Sequence, residues 1–315
     1  MKIGTRGSKL ALWQAHTVAR LIKETGGPDC EIIVIRTSGD ETTGPPDPPV
    51  TTLGTIGTLN VKSLFVKEIE EALVDGRIDV AVHSAKDLSA ELPEGLYIAA
   101  ALEREDPRDA IILPGVSAPR DFPAVARLLG HSPRIGTSSV RRVAQLRGIM
   151  ADATFSAIRG NVDTRLHKLD SGECDAIVLA VAGLKRLGFE HRLTAPIPVD
   201  ACVPAPGQGI VAVEMSQHAA TELRDAVRRI SDADAETALL AERAVVRALG
   251  GGCQMPLGAL ARVDGQDLAI QGVVASIDGR TFVRGVVHGH RGGAAAAGDK
   301  LAAQLLSKGA GDLLN

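Results

Sequence analysis

The chain has 315 residues, 45% of them apolar and 23% charged, with a formal net charge of -3, which predicts two or three globular domains. Aromatics are only 2%, so the cores must be built from Ala, Val, Leu and Ile, and neither a basic balance nor interleaved aromatics marks a nucleic-acid binder. The four cysteines form no CxxC pair and no metal spacing with His, no apolar run approaches membrane-spanning length, and Met1-Lys2-Ile3 opens a strand without a leader, so a cytoplasmic protein with reduced thiols is expected.

Lys2 to Thr5 reads as a strand and Arg6-Gly7-Ser8 as a turn in which Ser8 caps a helix with Leu10, Trp13, Thr17 and Leu21 on one face. Glu31 to Thr37 is a continuous apolar run of the kind buried in parallel sheets. Gly39 to Asn60, rich in Pro, Thr and Gly, is expected to be a long loop of the lid type. A helix from about Val61 to Val74 follows, then strands at Asp79–Val82 and Leu96–Leu102. Strands at Ala110–Leu113, Arg134–Gly136, Thr154–Ala157 and Ala176–Ala180 alternate with helices at Ser139–Arg147, Val162–Leu169 and Ala182–Leu187, a pattern that predicts parallel α/β sheets. Another strand, Val211–Glu214, follows the loop Pro204–Gly209.

The last part changes character. A helix over Glu236–Leu249 runs into Gly250-Gly251-Gly252-Cys253, more glycine than a helix stop requires, leaving a thiol on a loop. Strands at Ala259–Val263, Leu268–Val274 and Phe282–Val287 are separated by the hairpin signals Asp264-Gly265 and Asp278-Gly279, and an Ala-rich helix, Ala294–Leu306, closes the chain. This predicts two α/β domains and a small α+β domain. The other cysteines, Cys30, Cys174 and Cys202, sit among apolar or strand-like residues, where a thiol usually acts as a small hydrophobe.

Basic residues recur at the strand-to-helix turns: Arg6 in the first, Lys86 in His83-Ser84-Ala85-Lys86-Asp87, Arg141 and Arg142 after Gly136-Thr137-Ser138-Ser139, and Arg159 before Gly160-Asn161, where Asn161 can cap the helix carrying Arg165. In α/β sheets such turns converge on one crevice. Cations in a first helical turn oppose the helix dipole, so Arg141 and Arg142 beside three hydroxyls favour an anion site over solvated or salt-bridged arginines. Arg186, at a helix end, is favourable for dipole reasons alone. The guanidinium fork suits carboxylate or phosphate, and these turns carry no GxxxxGK[ST] or GxGxxG loop. Asp87 is the exception in this basic setting. It can stabilise a cation or accept N–H bonds, or simply pair with Lys86 or an arginine. His83 can be a general base, although a histidine at a strand end is more often structural.

With these residues in view, the chain resembles the hydroxymethylbilane synthase (porphobilinogen deaminase) family over nearly its whole length. The resemblance rests on Thr5-Arg6-Gly7-Ser8, Lys62-Ser63-Leu64-Phe65-Val66-Lys67-Glu68, Ala81-Val82-His83-Ser84-Ala85-Lys86-Asp87, Glu103 through Asp109, Gly136 through Arg142, Arg159-Gly160-Asn161-Val162, Leu179 through Gly188, Gly207-Gln208-Gly209 and Gly251-Gly252-Cys253-Gln254. It implies head-to-tail condensation of four porphobilinogen molecules with loss of ammonia, then hydrolytic release of the linear tetrapyrrole. It also implies a dipyrromethane cofactor attached by a thioether to Cys253, and an aspartate, Asp87, that holds pyrrole N–H groups and stabilises a cationic azafulvene, with Lys62 beside it. Ser8, Ser84, Lys86, Thr137, Ser139, Arg141, Arg142, Arg159 and Gly160 are expected to bind the cofactor; Arg6, Gln14, Phe65, Arg159, Arg165, Arg186 and Gln208 are expected to bind substrate. The implied fold is two type II periplasmic-binding-protein-like α/β domains around a cleft, residues 1–107 with about 208–230 and residues 108–207, plus a C-terminal α+β domain at 231–315 that carries the cysteine. A monomer with no metal, nucleic-acid or membrane partner is expected.

The chain departs from many members at Lys9 and Ser89, where proline is common, and around Leu53–Asn60, where a further lysine is common. A non-enzymatic anion-binding protein with two α/β lobes is the alternative reading. A nucleotide- or phosphate-using transferase lacks its phosphate loop.

Overall fold

A computed structural model describes residues 1–37, 66–115, 118, 120–250 and 255–314. The expected loop at Gly39–Asn60, the start of the helix placed at Val61, and Lys62, Phe65 and Cys253 lie outside the described residues.

Two five-stranded sheets share one plan. The first has β1 (Lys2–Thr5), β2 (Glu31–Val34), β3 (Val80–Ser84), β4 (Leu96–Ala101) and β10 (Val211–Ser216) in the order β2-β1-β3-β10-β4. The second has β5 (Asp109–Ile112), β6 (Arg134–Gly136), β7 (Thr154–Ser156), β8 (Ala176–Ala180) and β9 (Ala195–Pro196) in the order β7-β6-β8-β5-β9. In each sheet the fourth strand runs against both neighbours: β10 is antiparallel to β3 and β4, and β5 to β8 and β9. These reversed strands are where the chain passes from one sheet to the other and back, which is the type II periplasmic-binding arrangement. Sheets parallel throughout are therefore a misreading. Local alternation of strand and helix reports connections within a half, but not the direction of a strand supplied by the other half.

The sequence also misplaced some burial. β2 is an edge strand, partly exposed rather than buried, with Val34 at 52%. In α1 (Lys9–Glu24) the core face is Gln14, Ala15, Val18 and Ile22, while Trp13 stands 37% exposed. Three short elements escaped notice altogether: α3 (Phe122–Leu129), α7 (Thr221–Arg228) and β9. Between α1 and α7 the remaining helices of the two halves are α2 (Lys67–Val74), α4 (Val140–Arg147), α5 (Val162–Asp170) and α6 (Val181–Arg186).

The C-terminal unit is the antiparallel sheet β11 (Leu257–Asp264), β12 (Asp267–Ala275) and β13 (Phe282–His290) packed on α8 (Ala233–Ala248) and α9 (Ala294–Ser307). Both hairpins turn at the expected Asp-Gly pairs, with Gly265 and Gly279 at positive φ. Helix α8 ties the units together. Ala235 and Leu239 pack with Ala85, Leu88, Ala101 and Ile210 of the first half, whereas Ala241 and Val245 join the C-terminal core.

Candidate active site

Strands β1 and β3 are adjacent and parallel, so the turns that leave them emerge side by side. The first delivers Arg6 and Ser8, the second Ser84 and a 3-10 turn, Ala85–Asp87. One cavity is lined by Arg6, Ser8, Gln14, His83, Ser84 and Asp87 together with apolar side chains of α1, β3 and Val66. Ser8 is tied to its own helix, accepting from the Ala11 amide at 3.3 Å as an N-cap. Buried Gln14 donates from Nε2 to Ser84 Oγ at 2.8 Å, which fixes both polar groups against the cavity.

The turn bearing Asp87 rests on the loop Gly207-Gln208-Gly209. Gly207 and Gly209 have φ of 73° and 90°, in the left-handed region. A Cβ on Gly207 would press on the Ala85 and Lys86 backbone, and one on Gly209 would collide with the Glu105 carbonyl. Only glycine lets this loop pass so close. Lys86 Nζ reaches Gln208 Oε1 at 3.4 Å, and Gln208 Nε2 donates to the Pro107 carbonyl and to Asp109 Oδ1 at 2.6 and 2.9 Å.

From the second sheet come the turns after β6, β7 and β8. Arg141 and Arg142 do begin α4, but they are buried on Asp109: Arg141 Nη2 lies 2.7 Å from Oδ2, and Arg142 Nη2 2.7 Å from Oδ1. Arg141 Nη1 also donates to the Val203 carbonyl, and Arg142 Nη1 to that of Val178. The sequence reading, which set them in an open first turn, missed this internal carboxylate. Burial alone would raise the Asp109 carboxyl, yet the two guanidinium charges more than offset it and hold it well below the usual range. Cys202 beside them is pushed up to about 12, by burial and by Asp109 against the arginine charges.

Half-buried Arg165 donates from Nε to the Gly160 carbonyl at 2.7 Å. Burial and the charge of Arg142 draw it down from its ordinary value to about 10, while Asp87 acts the other way. So Arg165 feels the like charge of Arg142 from its own half and the opposite charge of Asp87 from the other, and a bound anion would relieve the first. Asn161 stands at the start of α5 but makes no capping bond from its side chain. Arg159 and Gly160 are exposed at the mouth of that turn. Thr137 is buried, with its Oγ1 accepting from the Ser139 amide, and Ser139 caps α4.

Arg186 spans the halves. Its Nη2 donates to the Gly209 carbonyl at 2.6 Å and its guanidinium lies over the Trp13 ring, 5.5 Å from the centroid. That stacking accounts for the exposed tryptophan. Lys9 Nζ bridges the same gap at the surface, 2.7 Å from Asp163 Oδ2.

Sequence reasoning also missed Glu242 and Glu214. Both are carboxylates with no exposed surface; Glu214 sits in an otherwise apolar strand, which was the signal available, while Glu242 lies beside Arg243 and carried no such mark.

Two family models match the chain: "Porphobilinogen deaminase, dipyromethane cofactor binding domain" over residues 1–224 and "Porphobilinogen deaminase, C-terminal domain" over residues 237–307. Among curated proteins, the porphobilinogen deaminase of Pelotomaculum thermopropionicum is 44% identical over 314 residues, 99% of this chain and 95% of that protein. That of Syntrophomonas wolfei is 43% identical over 316 residues, covering 100% of this chain and 97% of the relative. Among solved structures, the VFT2 domain of BvgS from Bordetella pertussis is similar at a TM-score of 0.41 and 16% identity, covering 73% of this chain and 85% of that one. A superposition at that level adds nothing to the strand order described above.

Proposed function

The chain belongs to the porphobilinogen deaminase family, and on that premise we propose how its own residues perform the family's reaction. The activity is that of a hydroxymethylbilane synthase, a transferase of tetrapyrrole biosynthesis that joins four porphobilinogen molecules head to tail, losing ammonia each time, and releases the product by hydrolysis. Its cofactor is dipyrromethane.

The observation that carries the residue assignment is the cavity where Arg6, Ser8, Gln14, Ser84 and Asp87 meet, with Arg165 of the other half within the field of Asp87. This donor set fits the group. Dipyrromethane presents carboxylates, which need guanidinium and hydroxyl donors, and pyrrole N–H groups, which need an acceptor. Cys253, Ser8, Ser84, Lys86, Thr137, Ser139, Arg141, Arg142, Arg159 and Gly160 would hold it, Cys253 through a thioether. When bound, it supplies the ring on which the chain grows.

Asp87 accepts pyrrole N–H bonds and, ionised, stabilises the positive charge that develops as ammonia leaves. By the family resemblance, Lys62 is assigned to catalysis with it and Phe65 to binding the substrate ring. Arg6, Gln14, Arg159, Arg165, Arg186 and Gln208 orient the acetate and propionate arms of substrate. Arg141 and Arg142 act from the wall, with Asp109 setting their positions and leaving part of their positive field for the cleft.

The three sheets support a division at residues 1–107 with about 208–230, 108–207, and 231–315. No helix among the described residues is long and apolar enough to cross a membrane. A monomer in the cytoplasm, without a nucleic-acid partner, completes the proposal; the net charge of -3 supports its last part. Incubating the purified chain with porphobilinogen tests the reading. Release of ammonia with a tetrapyrrole that closes to a porphyrin in acid is expected, and an intact substrate would overturn it.

A further inference from the structure

Behind the cavity lies a group of titratable side chains for which the assignment above has no use. His83, on β3, lines the cavity and is 6% exposed. Its Nε2 lies 3.2 Å from Oε2 of Glu214, which comes from the neighbouring strand β10 and has no exposed surface. Glu70, from α2, approaches the same pair, and Arg243, from α8, adds its charge. Among the described residues, His83 Nε2, both Glu214 oxygens and Glu70 Oε1 are shielded from solvent and lack a hydrogen-bond partner. A network so buried and so poorly satisfied is costly to keep, because each charge must be matched by a proton or an opposite charge nearby. Burial and the Glu214 charge push the Glu70 carboxyl up to about 7, against the charges of His83 and Arg243. Glu70 therefore titrates close to neutral pH, beside His83 and Glu214.

The reaction needs a place for one proton. In each condensation the C–N bond of the aminomethyl group breaks and its electron pair leaves with nitrogen as ammonia. A C–C bond forms at the α carbon of the acceptor ring. The C–H bond there then breaks, its electron pair returning to the ring and its proton passing to a base. Asp87 suits this poorly, since protonation would cancel the charge that stabilises the developing cation. We propose that His83, backed by the buried carboxylate of Glu214 and sharing charge with Glu70, takes up this ring proton and passes it to the departing ammonia or to water. A buried carboxylate 3.2 Å from the ring gives a histidine that takes up a proton an opposite charge at hand. Arg6 and Asp87, facing the same cavity, keep the local field balanced while the proton is held.

The inference rests on the hydroxymethylbilane synthase reading, and its test separates the two. His83→Gln and Glu214→Gln are prepared as cofactor-loaded enzymes, with loading checked by intact mass, and turnover is followed against pH. His83→Gln is expected to lower kcat at least about ten-fold with KM changed less than about three-fold, and to displace the acid limb of the kcat profile. Glu214→Gln is expected to displace the same limb with a smaller loss. A loaded His83→Gln enzyme with the wild-type kcat and pH profile overturns the proposal. Should that variant fail to fold or load, Glu214→Gln decides, and an unchanged profile there overturns it equally. A wild-type chain that leaves porphobilinogen intact would instead sink the reading on which the inference stands.

Discussion

Glu242 accepts from both terminal nitrogens of Arg104, at 2.6 and 2.9 Å, and also from the amides of Gly207 and Ala261, at 2.6 and 2.7 Å. One buried carboxylate of α8 thus holds the segment after β4, the glycine loop under Asp87 and the first strand of the C-terminal sheet. Removing it strands a guanidinium and two amides, so Glu242→Ala should cost about 3–5 kcal/mol of stability. Glu242→Gln, which keeps part of the bonding, should cost less. Urea denaturation of the two variants checks this; a loss below about 1 kcal/mol for alanine would contradict the role.

Glu70 makes stability depend on pH. Its carboxyl is raised to about 7 in the folded chain, first by burial, whereas an unfolded glutamate titrates near about 4.3. The folded state therefore keeps a proton that the unfolded state releases. The contribution to stability is complete below the unfolded value and is lost as pH rises from about 4 to about 7. Relative to Glu70→Gln, the wild type should lose ground across that window in urea midpoints. A constant difference between the two would refute the assignment.

Thiol labelling separates the described cysteines. Cys174 and Cys202 are buried, and burial raises both thiols, Cys202 to about 12. Only the thiolate reacts, so neither should take up iodoacetamide in the folded protein at about pH 8. Half-buried Cys30 should label first. Peptide mapping after a timed reaction reads this directly, and early modification of Cys202 would contradict its placement against Asp109.

The Lys9–Asp163 pair links the two halves at the surface, with side-chain exposures of 71% and 35%. Exposed pairs contribute roughly 0.2–1 kcal/mol, so Lys9→Ala should change kcat/KM less than about five-fold, with the difference fading in high salt. A larger, salt-insensitive loss would mean that Lys9 acts on substrate itself.

The sequence made the strand-end turns legible because each combines a turn signal with a basic or acidic residue that an apolar core would not accept without a charged partner. Arg6, Ser84 and Asp87 accordingly meet in one cavity. The partners of those residues were less visible. Asp109 lies 32 positions before Arg141 and looks like an ordinary strand-start acid until the fold brings the two within 2.7 Å. Periodicity groups Trp13 with Leu10, Thr17 and Leu21 on one helix face, whereas the buried face is Gln14, Ala15, Val18 and Ile22. The stacking of Trp13 under Arg186 depends on how two sheets sit together, which periodicity along one helix does not encode. The reversed strands β5 and β10 were hidden for the same reason: direction in a sheet is set by the long-range crossing of the chain.

The most direct test of Asp87 at the condensation site is the intact mass of cofactor-loaded Asp87→Asn protein after mixing with porphobilinogen. The account predicts that the variant carries the two linked pyrrole units on the Cys253 peptide and gains no further rings, while the wild type shows a ladder of additions. A ladder of the same height and speed in the variant would contradict it.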